Sequence, residues 1–143
     1  MIRWRHEVKV GLIGASAYAQ LAHILGRASN HAFENPNPTW FEILSPLWFA
    51  LSVLIPGFYI GWAAKRRPYL IAVGAYLLGG CSFYISRYST LDAYRQYAPA
   101  HSVILELLRE TISISVVGAV VAFISQQMRR RSSNNAIDRA RNV

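Results

Sequence analysis

The amino-acid sequence predicts an all-α protein, an integral membrane bundle of four transmembrane helices with both termini cytoplasmic. Three observations carry that prediction. Apolar stretches at about 10–26, 41–64, 69–86 and 103–125 each come close to the roughly 20 residues a helix needs to cross a hydrocarbon core of about 30 Å. Only 15% of the 143 residues are charged, against about 25% in ordinary soluble domains. The cations also gather at the ends of the apolar stretches, where membrane topology places them.

The chain opens on a short basic lead, MIRWRHEVK, and the stretch 10–26 follows as the weakest of the four. Gly11, Ala15, Ala19, Ala22 and Gly26 recur in it at steps of three and four, which puts small residues on one helical face. In lipid no hydrophobic drive pulls helices together, so such faces serve packing by letting backbones approach closely. Ser16, Gln20, His23 and Arg27 form a second, polar stripe with the same period. Residues 27–39 read as a polar loop ending in Asn35-Pro36-Asn37-Pro38, because proline lacks the donor a helix needs and restricts the residue before it.

The stretches 41–64 and 69–86, with Lys65, Arg66, Arg67 and Pro68 between them, read as a helical hairpin around which the chain is organised. Pro56-Gly57 is the expected kink in the first arm. Gly57 and Gly61 form a GxxxG pair, expected to serve close packing within the monomer. In the second arm Ala72, Ala75, Gly79 and Ser82 again share one face. Residues 87–101 read as a second polar loop before the last span. The four spans make one transmembrane domain over 1–128. The basic segment 129–143 is expected to be a mobile cytoplasmic tail, either lying against anionic lipid or solvated, with its charge only setting topology.

Charge fixes orientation. With four spans, Arg3, Arg5 and Lys9, the cations at 65–67, and Arg129, Arg130, Arg131, Arg139 and Arg141 stand on one side, while Arg27, Arg87 and Arg95 stand on the other. This bias puts both ends in the cytoplasm, most simply of a bacterium whose inner membrane the protein crosses several times. The net charge of +8 could suggest nucleic acid. That reading needs the basic residues on one folded face, and their place beside apolar spans argues against it.

No sequence signature of a nucleophile, a phosphate loop or a metal site is present, so no enzymatic activity, catalytic residue, metal or cofactor is expected. The single cysteine, Cys81, reads as a small apolar core residue. One constellation carries potential chemistry. His23 and Arg27 on the first helix, Glu42 on the second, and Glu106, Arg109 and Glu110 on the fourth could meet at one level in the outer half of the bundle. Ionisable groups at such depth usually face the interior and pair. The competing register starts the fourth span near Thr111 and leaves Glu106, Arg109 and Glu110 among headgroups. The expected function is that of a structural or interaction subunit, which self-associates or binds a larger membrane protein through helix packing. The alternative is an oligomeric transporter or ion-conducting unit using the polar cluster. Small four-helix drug exporters share this size and span number, but they carry an essential acid within the first span, where 10–26 has none.

Ala17-Tyr18-Ala19 has the small-x-small form of a signal-peptidase site. The apolar run before it is short and broken by Gly11 and Gly14, and apolar residues continue beyond it. The helix is therefore expected to stay uncleaved, and the intact mass of the protein isolated from cells should show no loss at Ala19.

Overall fold

Proline and small residues, more than polarity, decide where the helices of this chain stop and how near they come. The computed structural model describes residues 2–34, 38–90 and 100–141, with side chains at 5–24, 46–47, 49–83, 85, 105 and 108–134. Its elements are four helices: α1 (Ile2–Glu34), α2 (Pro38–Ala63), α3 (Pro68–Thr90) and α4 (Ala100–Arg141). Among the described residues there is no strand.

The helices are longer than the apolar stretches. α1 takes in the basic lead and runs through 27–34, which composition alone assigns to a loop. That segment holds no glycine or proline, and its polar residues cost a helix only tenths of a kcal/mol each, so the helix persists almost to Pro36. α4 likewise continues through 129–141 as one helix with the apolar part before it. No glycine or proline follows Gly118, and arginine, glutamine, methionine and alanine are all good helix formers. The segment expected as a mobile tail is therefore an extension of α4. Among the described residues one helical stretch, Leu108–Asn134 of 27 residues, is long and apolar enough to cross a membrane, with a mean hydropathy of 1.6 over an 18-residue window. The apolar parts of α2 and α3 within the described residues, Phe49–Ala63 and Pro68–Phe83, are shorter.

The packing circuit is α1–α3–α4–α2 and back to α1. α2 and α3 are joined by a short turn at Ala64–Arg67, yet they touch only slightly, across a diagonal. The central hairpin is thus a connection rather than a packed pair, and each arm packs on α1 and α4 instead. Arg67 adopts a positive φ of 42° in this turn, and its carbonyl accepts the Leu70 N–H at 3.0 Å as α3 begins. Pro68, the first residue of α3, is fully buried; at that position its missing N–H removes no helical hydrogen bond.

The interior is made of small side chains. Half of the buried apolar set is alanine: Ala15, Ala22, Ala64, Ala72, Ala75 and Ala122. Outside, 25 large apolar side chains among the described residues are exposed, including Leu12, Phe49, Phe58, Leu78, Val116 and Phe123. Cys81 is among the outward-facing residues and is not a core residue. It stands beside the exposed Leu77 and Leu78 of α3.

Tyr76 of α3 fills the centre and is only 1% exposed. Its ring stands edge-on to Tyr18 of α1, with centroids 5.0 Å apart, and lies against Gly118 of α4. Its hydroxyl donates to the Val53 carbonyl of α2 and lies close to Gly57. Val53 and Gly57 flank Pro56, whose ring and missing N–H disturb the helical ladder. The tyrosine therefore serves a carbonyl in the turn that Pro56 disturbs.

Two substitutions test this arrangement. Tyr76→Phe removes only the hydroxyl and should destabilise the purified protein by about 1–3 kcal/mol, the cost of leaving a buried polar group unserved. Gly118→Leu drives a branched side chain into the Tyr76 ring and should cost at least about 1–3 kcal/mol. Unfolding midpoints unchanged in both variants would remove Tyr76 from its central role.

Candidate functional site

Three surfaces carry the residues with chemistry, and they lie at different places on the bundle. The first is the end formed by the start of α1, the α2–α3 turn and the lower part of α4. A helix leaves its last carbonyls without partners, and those of α2 are served by its neighbours. Arg129 of α4 donates from Nη1 to the Trp62 carbonyl. His6 of α1, through Nε2, donates to the Ala63 carbonyl at 3.2 Å. The backbone N–H of Lys65 donates to Oε1 of Glu7 at 3.2 Å, while the second carboxylate oxygen of Glu7 is buried with no hydrogen bond. A cation at a helix C-terminus also offsets the negative end of the helix dipole. Around this clasp stand the exposed Arg5, Lys9, Lys65, Arg66, Arg67, Arg130 and Arg131, so three of the basic segments of the sequence converge on one face.

The second surface is the outer side of α1. Ser16, Gln20 and His23 are exposed and run down the middle of its outward face, flanked by Leu12, Ile13 and Ile24. They border a groove of about 700 Å³ between α1 and α3, which Ser82, Leu78 and Phe83 complete. The third is the upper part of α4, where Arg109 and Glu110 are exposed. Glu110 lies near enough to Tyr18 to act on it electrostatically.

The proposed meeting of six ionisable residues in the interior is not what the described side chains form. His23 borders the external groove, and Arg109 and Glu110 stand on the outside of another helix. The side chains of Arg27, Glu42 and Glu106 lie outside the described residues. The reason is rotational: the face of α1 that carries Gly14, Tyr18 and Ala22 is buried, and Ser16, Gln20 and His23 lie away from it on the exposed side.

The small residues sit at the seams. Ala15 is buried beneath Gly79, where an added methyl would stand 2.7 Å from the Ala15 carbonyl. Gly11 faces Ile71 of α3, and Gly57 faces Val121 of α4. Gly61 lies directly on the Ala122 carbonyl. Ala22, Ala72 and Ala75 are buried, while Ala19 is half-buried at the edge of the groove. Gly57 and Gly61 thus meet α4 of the same chain. Pro56 is fully buried, and α2 passes through it as a single helix.

Sequence reasoning missed the polar closures made by serine and arginine. Ser125 of α4 donates to the Phe58 carbonyl of α2 at 2.9 Å, one turn before Arg129 reaches Trp62. Ser52 and Ser115 donate back to Phe49 and Thr111 of their own helices, each at 2.7 Å, which lets a hydroxyl sit in an apolar interior. Nothing in a linear pattern separates these serines from exposed ones. Among the described residues no group of three His, Cys, Asp or Glu could hold a metal ion. Compared with protein families, with curated proteins and with solved structures, the chain matches none.

The clasp makes a graded prediction. Arg129→Ala removes both a donor and a terminal cation from α2 and should lower stability by about 1 kcal/mol, discounted for exposure. Arg131→Ala, on the open surface, should change it by less than about 0.5 kcal/mol. Equal effects in denaturant titration would mean that the Trp62 contact contributes nothing.

Proposed function

We propose that this is a multi-span membrane protein, with its basic end in the cytoplasm, that works without chemistry of its own as a structural or interaction subunit. The observation that carries the proposal is the inverted distribution of size and polarity. Large apolar side chains are exposed on all four helices, while alanine, glycine and serine share the inside with a few large residues such as Ile60 and Tyr76. An apolar exterior of this extent needs lipid or protein against it, and a small-residue interior is how helices pack when lipid is the solvent.

The length of α4 supports a crossing by that helix. On α4 the residues from Thr111 to Met128 are free of charge and span about 27 Å at 1.5 Å per residue, close to the thickness of a hydrocarbon core. Arg109 and Glu110 then reach one headgroup layer and Arg129 the other. Trp62 and Tyr69 are exposed beside the basic end, where amphipathic rings favour the membrane–water boundary. The convergence of basic segments there favours the cytoplasmic leaflet of a bacterial inner membrane, with anionic lipid as a contact. It also accounts for the high pI without nucleic acid. The exposure of His23, Arg109 and Glu110, and Tyr76 filling the axis, favour a contact role over a conducting path through the bundle.

Fractionation and tagging test the reading together. The protein should remain in the membrane pellet after alkaline carbonate extraction. Reporters fused after Val143 and ahead of Met1 should both report the cytoplasm, and one inserted at 91–99 should report the opposite side. Recovery in the soluble fraction, or terminal reporters in opposite compartments, would overturn it.

A further inference from the structure

We infer that the basic end binds the phosphate headgroup of an anionic phospholipid, which bridges the α2–α3 turn to α1 and α4 and holds the four helices in their packed form. The inference rests on the membrane reading above and deepens its contact with anionic lipid, by naming the bridged segments and the effect on the bundle. Its starting point is the path of the turn. α2 and α3 lie diagonally in the circuit, so Ala64–Arg67 crosses the end of the bundle between α1 and α4. Ala64 and Pro68 are buried, which seats the turn on that end and leaves Lys65, Arg66 and Arg67 exposed over it. Hydrogen bonds tie down its two flanks. His6 and Glu7 of α1 reach Ala63 and Lys65, and Arg129 of α4 reaches Trp62. The same bonds bring Arg5 and Lys9 toward one side of the turn, and Arg130 and Arg131 toward the other. Eight cations therefore gather here, and Glu7 is the one carboxylate at this end among the described residues. Its Oε1 accepts a backbone N–H. Of the eight cations only Arg129 has a side-chain hydrogen bond or ion pair among the described residues. Like charges held this close oppose the packing that gathers them, and an anion placed between them turns repulsion into attraction.

The surroundings select the anion. Each cationic group gives way within two helical turns to exposed apolar side chains: Leu12 and Ile13 on α1, Leu70 on α3 and Ile124 on α4. On α2 the ring of Phe58 stacks on the exposed Trp62, with centroids 6.0 Å apart, and an indole of this kind favours the membrane–water boundary. A ligand that fits both levels is negative at one end and apolar at the other. A nucleic acid or an acidic peptide would meet the cations and leave the apolar walls bare, whereas a phospholipid meets both. Basic sites between helices on the cytoplasmic side bind such headgroups, and the planar fork of arginine offers phosphate paired donors. α4 carries two more arginines, Arg139 and Arg141. They stand about 15 Å or more beyond Arg129 at 1.5 Å per residue, farther than the Debye length of about 8 Å at physiological ionic strength. They add to the charge of the chain without sharing the position of the turn, which makes them the control.

The test is the unfolding midpoint of the purified full-length chain in phosphatidylcholine bicelles, with and without admixed phosphatidylglycerol at fixed ionic strength. Phosphatidylglycerol should raise the midpoint by about 3 °C or more, the shift expected when a ligand binds only the folded form of a chain of this size. Lys9→Gln with Arg66→Gln takes one cation from each side of the bridge and should lose at least about half of that shift. Arg139→Gln with Arg141→Gln removes the same charge and should keep nearly all of it. Each variant is compared with its own midpoint in the neutral lipid, so a change in intrinsic stability cancels. If the first pair does not fold, Arg5→Gln with Arg130→Gln probes the same bridge through other cations. Equal losses in the near and far pairs would overturn the site, because net charge alone would then explain the shift. An equal shift from inorganic phosphate or polyglutamate in neutral bicelles would overturn the lipid as the occupant. No shift in protein that stays in the membrane pellet after carbonate extraction would overturn the lipid bridge alone, whereas recovery in the soluble fraction would overturn the membrane reading and the bridge together.

Discussion

The structure depends on one side chain that touches every helix but its own. Tyr76 meets Tyr18 on α1, the Val53–Gly57 turn on α2 and Gly118 on α4. A ring of this size at the axis sets the spacing of the circuit, and the glycines opposite it are small because the ring is there. Its hydroxyl resolves a second constraint. Pro56 leaves α2 with disturbed backbone groups in the interior, and in an apolar setting those groups have no water to turn to. One residue therefore answers both the volume of the centre and its polarity. That is why α2 and α3 can be consecutive in sequence and diagonal in space, since the tyrosine bridges the gap that their short turn leaves open.

Away from that ring the bundle is held by closeness. Gly61 on the Ala122 carbonyl and Gly79 on the Ala15 carbonyl bring backbones together on opposite sides of the circuit. Each such contact gains dispersion over many atoms and excludes anything larger than hydrogen. The large side chains that would fill a soluble core point outward instead, and this is the one physical trait shared by all four helices. On the membrane reading the two facts have a single cause. A solvent as apolar as leucine gives leucine no reason to be inside, so the interior goes to the residues that let helices touch.

Much of this was legible in the sequence, and the limits of legibility are physical. Four helices follow from the apolar stretches and from proline at 36, 38 and 68. The shared faces of Gly11, Ala15 and Ala22, and of Ala72, Ala75 and Gly79, follow from periodicity. What periodicity does not contain is the partner of each face. A hairpin reading pairs α2 with α3, whereas the packing of Gly57 and Gly61 on α4 decides otherwise. Helix ends were also hidden, because 27–34 and 129–141 are polar without being helix-breaking. The same limit applies to the described members of the candidate cluster. His23, Arg109 and Glu110 share a depth that can be counted along the chain, but rotation about the helix axis is set by which opposing face packs better. On α1 the face of Gly14, Tyr18 and Ala22 took the interior, and Gln20 and His23 stand outward.

The clasp at the basic end has a consequence for how the molecule comes into being. The carbonyls of Trp62 and Ala63 are served by His6, made at the beginning, and by Arg129, which leaves the ribosome 67 residues after Trp62. Until then the end of α2 has only part of its final set of donors. Ser125, the other α4 residue that reaches α2, emerges in the same late interval. The last helix is therefore a closing piece: chains halted before it would hold a ring of three with an unfinished corner, and such truncated products are the ones a quality-control protease should find first.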